Sequence, residues 1–329
     1  MNIGELRMRI CGIGCELPGA PKPSAFFDAM LGLSPGEVQR MSGVSTRHVC
    51  DGDATQISMG VAAARMAMVE AGIGPGDVDL VISASAVGYQ PIPATAPRYQ
   101  GELGIADGAA FAFDVNSTCL SFVTALDICA GWLDTGRYKC ALIISSELAS
   151  RALPWQNHPE TAGLFGDGAA AVVVRPGDSR ISTLFRTYPS AFESCSIGAG
   201  GTRYDFHGDN EAFAAHAFFE MNGKDLFRVT AQHFKPFVDE LLAHVGWDRD
   251  DVDLIVPHQA SPRALCRMTR QCGFDPVKVV NISERVANQV AASIPVALHY
   301  AKDRLVEGTK LLILGTSAGV SFGGAAVTI

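Results

Sequence analysis

Apolar positions along the chain fall into two kinds of run that alternate from end to end. Short, nearly continuous runs read as strands buried on both faces: Met8–Ile13, Asp77–Ser85 (DVDLVISAS), Tyr138–Ser146 (YKCALIISS), Ala169–Val174, Asp251–His258 (DVDLIVPH) and Thr309–Ser317 (TKLLILGTS). Between them the spacing changes to three and four, which predicts helices. One is Ser58–Ala71, rich in small residues; a second begins at Leu120, carries Phe122, Leu126, Ile128, Cys129, Trp132 and Leu133, and stops at Gly136; a third is Val229–Val245. Strands alternating with helices predict an α/β protein with largely parallel sheets covered by helices and functional loops at the strand carboxyl ends. The Gly12-Ile-Gly14 that ends the first strand is not a dinucleotide fingerprint, because Leu17-Pro18-Gly19 stands where a helix should begin.

The later pattern repeats the earlier one. Helix, turn and DVDL strand over 58–85 return over 229–258, with Asp251 lying 174 residues after Asp77. The same offset carries Cys119 onto Ser293, inside NQVAASIPVALHYA, again a polar loop that feeds a helix and then a strand. So long a period indicates two similar halves, 1–175 and 176–329, rather than a solenoid. If they pack about a pseudo-twofold axis, loops from both converge.

Those loops carry reactive groups. Cys119 sits where the extended run Ala110–Val115 gives way to a helix, so unpaired N–H groups and the positive end of the helix dipole are expected to favour a thiolate and to hold an oxyanion. The second half supplies His258, after the strand in LIVPHQA, and Asn288, in the loop before the repeated helix. A thiolate, an imidazole and an amide together suit acyl-thioester chemistry: the sulfur accepts an acyl group while the other two donate to an oxyanion or enolate. Asp167, between Gly166 and Gly168, reads as a turn outside the site. Arg263, Arg267 and Arg270, spaced i, i+4 and i+7, form one basic helical face shortly after His258.

Composition narrows the classes. With 48% hydrophobic and 18% charged residues in 329, the chain supports a large core rather than disorder. A net charge of -8 gives nucleic acid no general attraction. Nine scattered cysteines without a CxxC pair point to a reduced, cytoplasmic protein and away from a zinc site, and no metal is expected. No run approaches the roughly 18 apolar residues of a membrane span, and no signal-like stretch opens the chain.

Six segments together carry a resemblance over essentially the whole chain: GVSTRHV ending at Val49, FDVNSTCLSF around Cys119, LFGDGAAAVVV at 164–174, IVPHQASPR at 255–263, NQVAASIP at 288–295 and the C-terminal SFGGAAV. They resemble the thiolase-fold condensing enzymes, specifically the β-ketoacyl carrier-protein synthase III family. The resemblance implies a thiolase-like fold, two duplicated mixed-sheet halves packed as αβαβα layers. It implies an acyltransferase that loads an acyl group on Cys119 from an acyl thioester. A Claisen condensation follows, decarboxylative with a malonyl- or β-ketoacyl-carrier protein. By the same resemblance His258 and Asn288 bind the extender carbonyl, and the N–H groups of Cys119 and Ala318 form the oxyanion hole. The basic face of Arg263, Arg267 and Arg270 suits an acidic acyl carrier protein and its phosphopantetheine, and the resemblance implies that role for Arg263. The resemblance further implies a homodimer in which Ile92 reaches the partner's acyl pocket, and no bound cofactor, since substrates would ride on phosphopantetheine of carrier protein or coenzyme A.

The match departs at three places. Members primed by coenzyme A carry a Trp and an Arg before the GVSTRHV-like motif; here GEVQRM has no Trp and Met41 stands in place of the Arg. Ala287 replaces a Gly before Asn288, and Thr316-Ser-Ala-Gly319 replaces a triple glycine. These changes favour a specialised synthase, of polyketide or other secondary metabolism, over a housekeeping one. Rival readings are a same-fold acyltransferase onto an alcohol or amine, a non-decarboxylative joining of two acyl thioesters, and a non-catalytic subunit. The intact Cys119, His258 and Asn288 argue against the last. A thiolase would need a further cysteine, and none follows Cys272.

Overall fold

The structure, a computed structural model, describes residues 5–329. The apolar runs form strands of one eight-stranded mixed sheet: β1 (Leu6–Glu16), β2 (Leu80–Ser83), β3 (Phe111–Asp114), β4 (Ala141–Glu147), β5 (Gly168–Thr187), β6 (Leu254–Pro257), β7 (Lys310–Ser317) and β8 (Ser321–Thr328). The helices that matter for the site are α1 (Gln56–Ala71), α2 (Ser121–Asp134), α3 (Gly223–Val245), α4 (Pro262–Cys272) and α5 (Ser293–Tyr300).

β5 departs most from the sequence reading. The expected strand stops at Val174, before the turn-like Arg175-Pro-Gly-Asp-Ser, but the observed one continues for 20 residues because β1 pairs along it with shifts of register at Met8/Arg9 and Ile10/Gly12. The polar stretch therefore rides as an irregularity in the ladder rather than ending it. This strand passes through residue 175 and serves both halves. Its first part pairs antiparallel with β4, and its last part antiparallel with β8.

Strand order repeats on either side of it. One side runs β3-β2-β4-β5-β1; on the other, β6-β7-β8 leads back to β5. Parallel pairing of β2 with β3 and β4 is matched by parallel pairing of β6 with β7 and a parallel bridge from Ile255 to Val279.

Alternation along the strands builds the layers. Leu80, Ile82 and Ile143 of one half, with Leu311 and Ile313 of the other, point into a shared core with Phe122, Val123 and Leu126 of α2 and Ile294, Val296 and Leu298 of α5. Val81, Leu142 and Ile144 face outward onto α1, while Leu312 and Leu314 face outward onto α3. The result is helix, sheet, helix, sheet, helix. Gly12 and Gly14 serve this packing: a Cβ at either would fall 2.2 Å from the Ala67 carbonyl oxygen or 1.9 Å from that of Ala63. Among the described residues no helix is long and apolar enough to cross a membrane.

Candidate active site

The turn that carries Cys119 is fixed by its own side chains. Asn116 accepts the Thr118 N–H on Oδ1 at 2.9 Å and donates from Nδ2 to the Ala86 carbonyl at 2.9 Å. The clamp holds Thr118 at φ +50°, and a 3₁₀ turn, Thr118–Leu120, then leads into α2. Leu120 anchors the turn from below. It packs on Gly315 of β7 and Gly323 of β8, where an added Cβ would lie 2.6 and 3.0 Å from its Cδ2. The same Cβ on Gly315 would lie 3.7 Å from the His258 Cβ, so this glycine marks where the nucleophile's turn and the histidine come together.

Asn288 stands at the corresponding place in the second half. Its N–H donates to the Leu164 carbonyl at 3.0 Å and its own carbonyl accepts from Gly166 at 3.1 Å. Its side-chain oxygen accepts the Val290 N–H at 2.8 Å and the Ser293 hydroxyl at 3.0 Å. Val290 has φ +50°, a 3₁₀ turn covers Val290–Ala292, and α5 follows. The two turns touch each other, and the first also touches β7.

The repeated backbone corrects the register. Asn116 pairs with Asn288, 172 residues apart, and Cys119 with Ala291; the offset of 174 taken from the DVDL strands had put Ser293 opposite Cys119. The connections between strand and turn differ by two residues in the two halves, and strand matching alone does not see that.

His258 follows β6, its N–H bonded to the Leu314 carbonyl at 2.7 Å. The ring is buried, which lowers its pKa to about 4, so the imidazole is neutral at physiological pH. Nδ1 is buried with no hydrogen-bond partner among the described residues. An orphaned N–H is rarer than an under-used acceptor, which favours the tautomer protonated on Nε2. Next to it, Gln259 donates to the Pro257 and Val280 carbonyls and accepts from Ile282, tying the strand end to the approach of Asn288.

Cys119 is half-buried, and its surroundings work against the expected thiolate. Desolvation by the packed surroundings pushes the thiol up to about 12, with the neighbouring Glu147 and Cys195 adding to the rise and the Cys119 N–H opposing it only in part. Desolvation therefore opposes what the turn's dipole favours. The N–H groups of Cys119 and Ala318 donate to no other residue among the described ones; Ala318 lies between β7 and β8, its carbonyl accepting from the Ser317 hydroxyl at 3.0 Å.

Glu147, the last residue of β4, was not singled out from sequence, where it looks like any polar strand end. It is buried beside Cys119. Asp167 is a buried turn residue whose carboxylate accepts from the Cys50 and Ser150 N–H groups at 2.8 and 2.9 Å and from the Ser150 hydroxyl at 2.6 Å. Arg263, Arg267 and Arg270 are exposed on α4 and line one groove of about 910 Å³ with Cys266, Gln271 and Ala231 of α3. Arg263 donates to the Arg40 carbonyl at 2.5 Å, and the Arg267 guanidinium lies 3.5 Å from the Phe227 ring centre. Ile92 is 87% exposed on the loop after β2.

Two half-sheets of one strand order enclosing a pair of buried helices, with a cysteine at one helix start and an asparagine at the other, define the thiolase fold of condensing acyltransferases. Models of 3-oxoacyl-[acyl-carrier-protein (ACP)] synthase III match residues 113–189 and, for its C-terminal part, 242–329. The chain is 34% identical over 327 residues to a β-ketoacyl-[acyl-carrier-protein] synthase III of Paramagnetospirillum magneticum, covering 98% of this chain and 99% of that one. It is 31% identical over 317 residues to a 3-oxopimeloyl-[acyl-carrier-protein] synthase of Rhodothermus marinus, covering 95% and 91%. The crystal structure of 3-oxoacyl-(acyl carrier protein) synthase III from Pseudomonas aeruginosa superposes with a TM-score of 0.86 at 30% identity, covering 98% of each chain. The chain belongs to the β-ketoacyl-[acyl-carrier-protein] synthase III family, and its class is that of an acyl-transferring condensing enzyme.

Proposed function

We propose that an acyl group is loaded on Cys119 from an acyl thioester and then joined, with loss of carbon dioxide, to a malonyl unit held on an acyl carrier protein. The observation that carries this reading is the locked amide of Asn288. With Oδ1 engaged by Val290 and Ser293, only its N–H bonds remain for a ligand, and neutral His258 offers another N–H. Two uncharged donors suit a thioester carbonyl that becomes an enolate oxygen. Passing an acyl group to an alcohol or amine forms no enolate and gives such a pair nothing to hold.

In loading, the Cys119 sulfur bonds to the donor carbonyl carbon while the N–H groups of Cys119 and Ala318 receive the oxyanion. Collapse breaks the donor's C–S bond, and the departing thiolate takes the proton that the Cys119 thiol gives up. With the thiol pushed up to about 12, that proton leaves as the sulfur attacks rather than beforehand. In condensation, the extender's C–CO₂ bond breaks, carbon dioxide departs, and the electron pair becomes an enolate held by His258 and Asn288. Its carbon then attacks the Cys119 thioester, leaving a β-ketoacyl carrier protein and a thiolate that regains a proton.

The basic groove of Arg263, Arg267 and Arg270, on the helix that begins four residues after His258, suits docking of an acidic carrier protein and its phosphopantetheine arm. Exposed Ile92, with Val87 and Tyr89 on the same loop, suits a homodimer in which this loop reaches the partner's acyl pocket. The missing Trp and Met41 favour a carrier-borne donor and specialised metabolism, and nine free cysteines fit a reduced cytoplasm. The test is intact mass after exposure to a panel of acyl-coenzyme A and acyl-carrier thioesters, with Cys119→Ala as control, then a chase with malonyl-carrier protein. An adduct that needs Cys119 and leaves as a β-ketoacyl product with carbon dioxide is the expected result. An adduct that ignores malonyl points to another acceptor, and no adduct from any donor sinks the proposal.

A further inference from the structure

We propose that Glu147 is a positioning residue that fixes the separation between the Cys119 turn and the Asn288 turn by gathering backbone N–H groups from both halves on one carboxyl group. It closes an otherwise apolar and hydroxyl-bearing strand, ALIISSE, and is 3% exposed. Its Oε1 accepts the Ala86 N–H at 2.6 Å, and the carboxyl also feels the N–H groups of Val87 and of Ala291, whose turn packs on the end of β4. Ala86 leads to the nucleophile: its carbonyl holds Asn116 Nδ2, and Asn116 Oδ1 holds the N–H of Thr118, one residue before Cys119. Ala291 leads to the other turn, three residues after Asn288, and occupies the place in its half that Cys119 occupies in the first.

No cation forms an ion pair with Glu147 among the described residues. Burial pushes its carboxyl up to about 8 against the pull of its three donors. A buried carboxyl without a counter-ion is a standing cost, and an apolar side chain would leave three N–H groups orphaned instead. The carboxyl group is thus the piece that both turns share.

The inference rests on the reading of Cys119 as acyl acceptor and Asn288 as enolate donor. Its test uses the full chain with Glu147→Gln and Glu147→Asp. Glutamine offers one carbonyl oxygen and turns an NH₂ toward a backbone N–H, so at least one donor is released; aspartate keeps the carboxyl group but stops a methylene short. Loading of Cys119, followed by intact mass, needs only the first turn and its oxyanion donors, so it should fall less than about fivefold. Single-turnover condensation of the loaded enzyme with malonyl-carrier protein needs both turns in register and should fall about 100-fold, the order expected for an ångström of misplacement. Equal losses in both half-reactions, or no loss in either variant, overturn the inference. If the glutamine variant does not fold, the aspartate variant carries the same comparison. The Cys119→Ala control on otherwise unaltered enzyme comes first: loading that survives it sinks the underlying reading, independently of anything Glu147 does.

Discussion

In NSTCLS (116–121) and NQVAAS (288–293) the leading asparagine folds its side-chain oxygen back onto the N–H two residues on, the third residue takes φ +50°, and a 3₁₀ turn opens a buried helix. What differs is which polar atoms the fold has already used. Asn116 spends its NH₂ on Ala86, whereas no described residue accepts from Asn288 Nδ2. Ser121 accepts the Ser117 N–H, whereas Ser293 donates to the Asn288 oxygen and so fixes which way the amide faces. Cys119 presents a thiol where Ala291 presents only a methyl group and a backbone N–H to Glu147. Duplication supplies one geometry twice; function divides according to which donors remain unspent.

The strongest way to break this comparison is to make the same substitution in both turns. Asn288→Asp keeps the oxygen that clamps Val290 but replaces the free NH₂ by an anion facing the enolate. Condensation should fall about 10²- to 10³-fold, as for loss of an oxyanion donor, with loading of Cys119 nearly intact. Asn116→Asp keeps the clamp on Thr118 and loses only the bond to Ala86. Loading and condensation should then fall together, by roughly tenfold. Identical profiles for the two variants, in single-turnover assays of each half-reaction, would remove the basis for assigning the turns different tasks.

A second test sets the thiol of the first turn against its surroundings. Because burial, Glu147 and Cys195 push the thiol up to about 12, it is overwhelmingly protonated near neutrality. Only the thiolate reacts, so alkylation of Cys119 by iodoacetamide should climb roughly tenfold per pH unit from pH 6 to 10 without levelling. Since His258 is held down at about 4 and is already neutral across that range, no inflection should arise near 6.5. The readout is modified mass against time at each pH. A plateau by pH 8 would restore the helix-dipole expectation and show that the turn's N–H groups outweigh burial.

The helix-dipole expectation and the desolvation that opposes it differ in how far each can be read from sequence. The apolar runs reveal which segments are strands, and Cys119, His258 and Asn288 stand out because each follows such a run at a place where loops gather. The dipole of a helix start is likewise local and legible. Desolvation of Cys119 is not, because it comes from elements far away in sequence: the 290–292 turn of the second half, the end of β4 and the segment around Cys195. Glu147 was missed in the same way. A carboxyl ending ALIISSE reads as a solvent-facing strand end until the second half delivers the Ala291 N–H to it. The 172-residue register and the full length of β5 also depend on partners, a loop length in one case and the pairing of β1 in the other.

The smallest predicted effect isolates the orientation of the Asn288 amide from the presence of Asn288. Ser293 is fully buried, and its hydroxyl is one of two donors among the described residues that hold Oδ1 in place. Ser293→Ala removes that bond and leaves the Val290 N–H as the sole bias. A flipped amide would face NH₂ against that N–H, so the productive orientation still wins, but by about 1 kcal/mol less. The ratio of productive to flipped amide falls about fivefold, so the productive fraction, still the majority, and the condensation rate with it should drop by at most about twofold, while loading, which does not use Asn288, stays unchanged. Ser121→Ala in the other turn is the matched control. Its hydroxyl accepts the Ser117 N–H and bonds the Thr118 carbonyl, supporting the backbone around Cys119 without aiming any amide. Loss there should lower melting temperature and both half-reactions in step. If Ser293→Ala also slows loading and condensation equally, the hydroxyl merely supports its turn, and the unspent N–H bonds of Asn288 are aimed by something else.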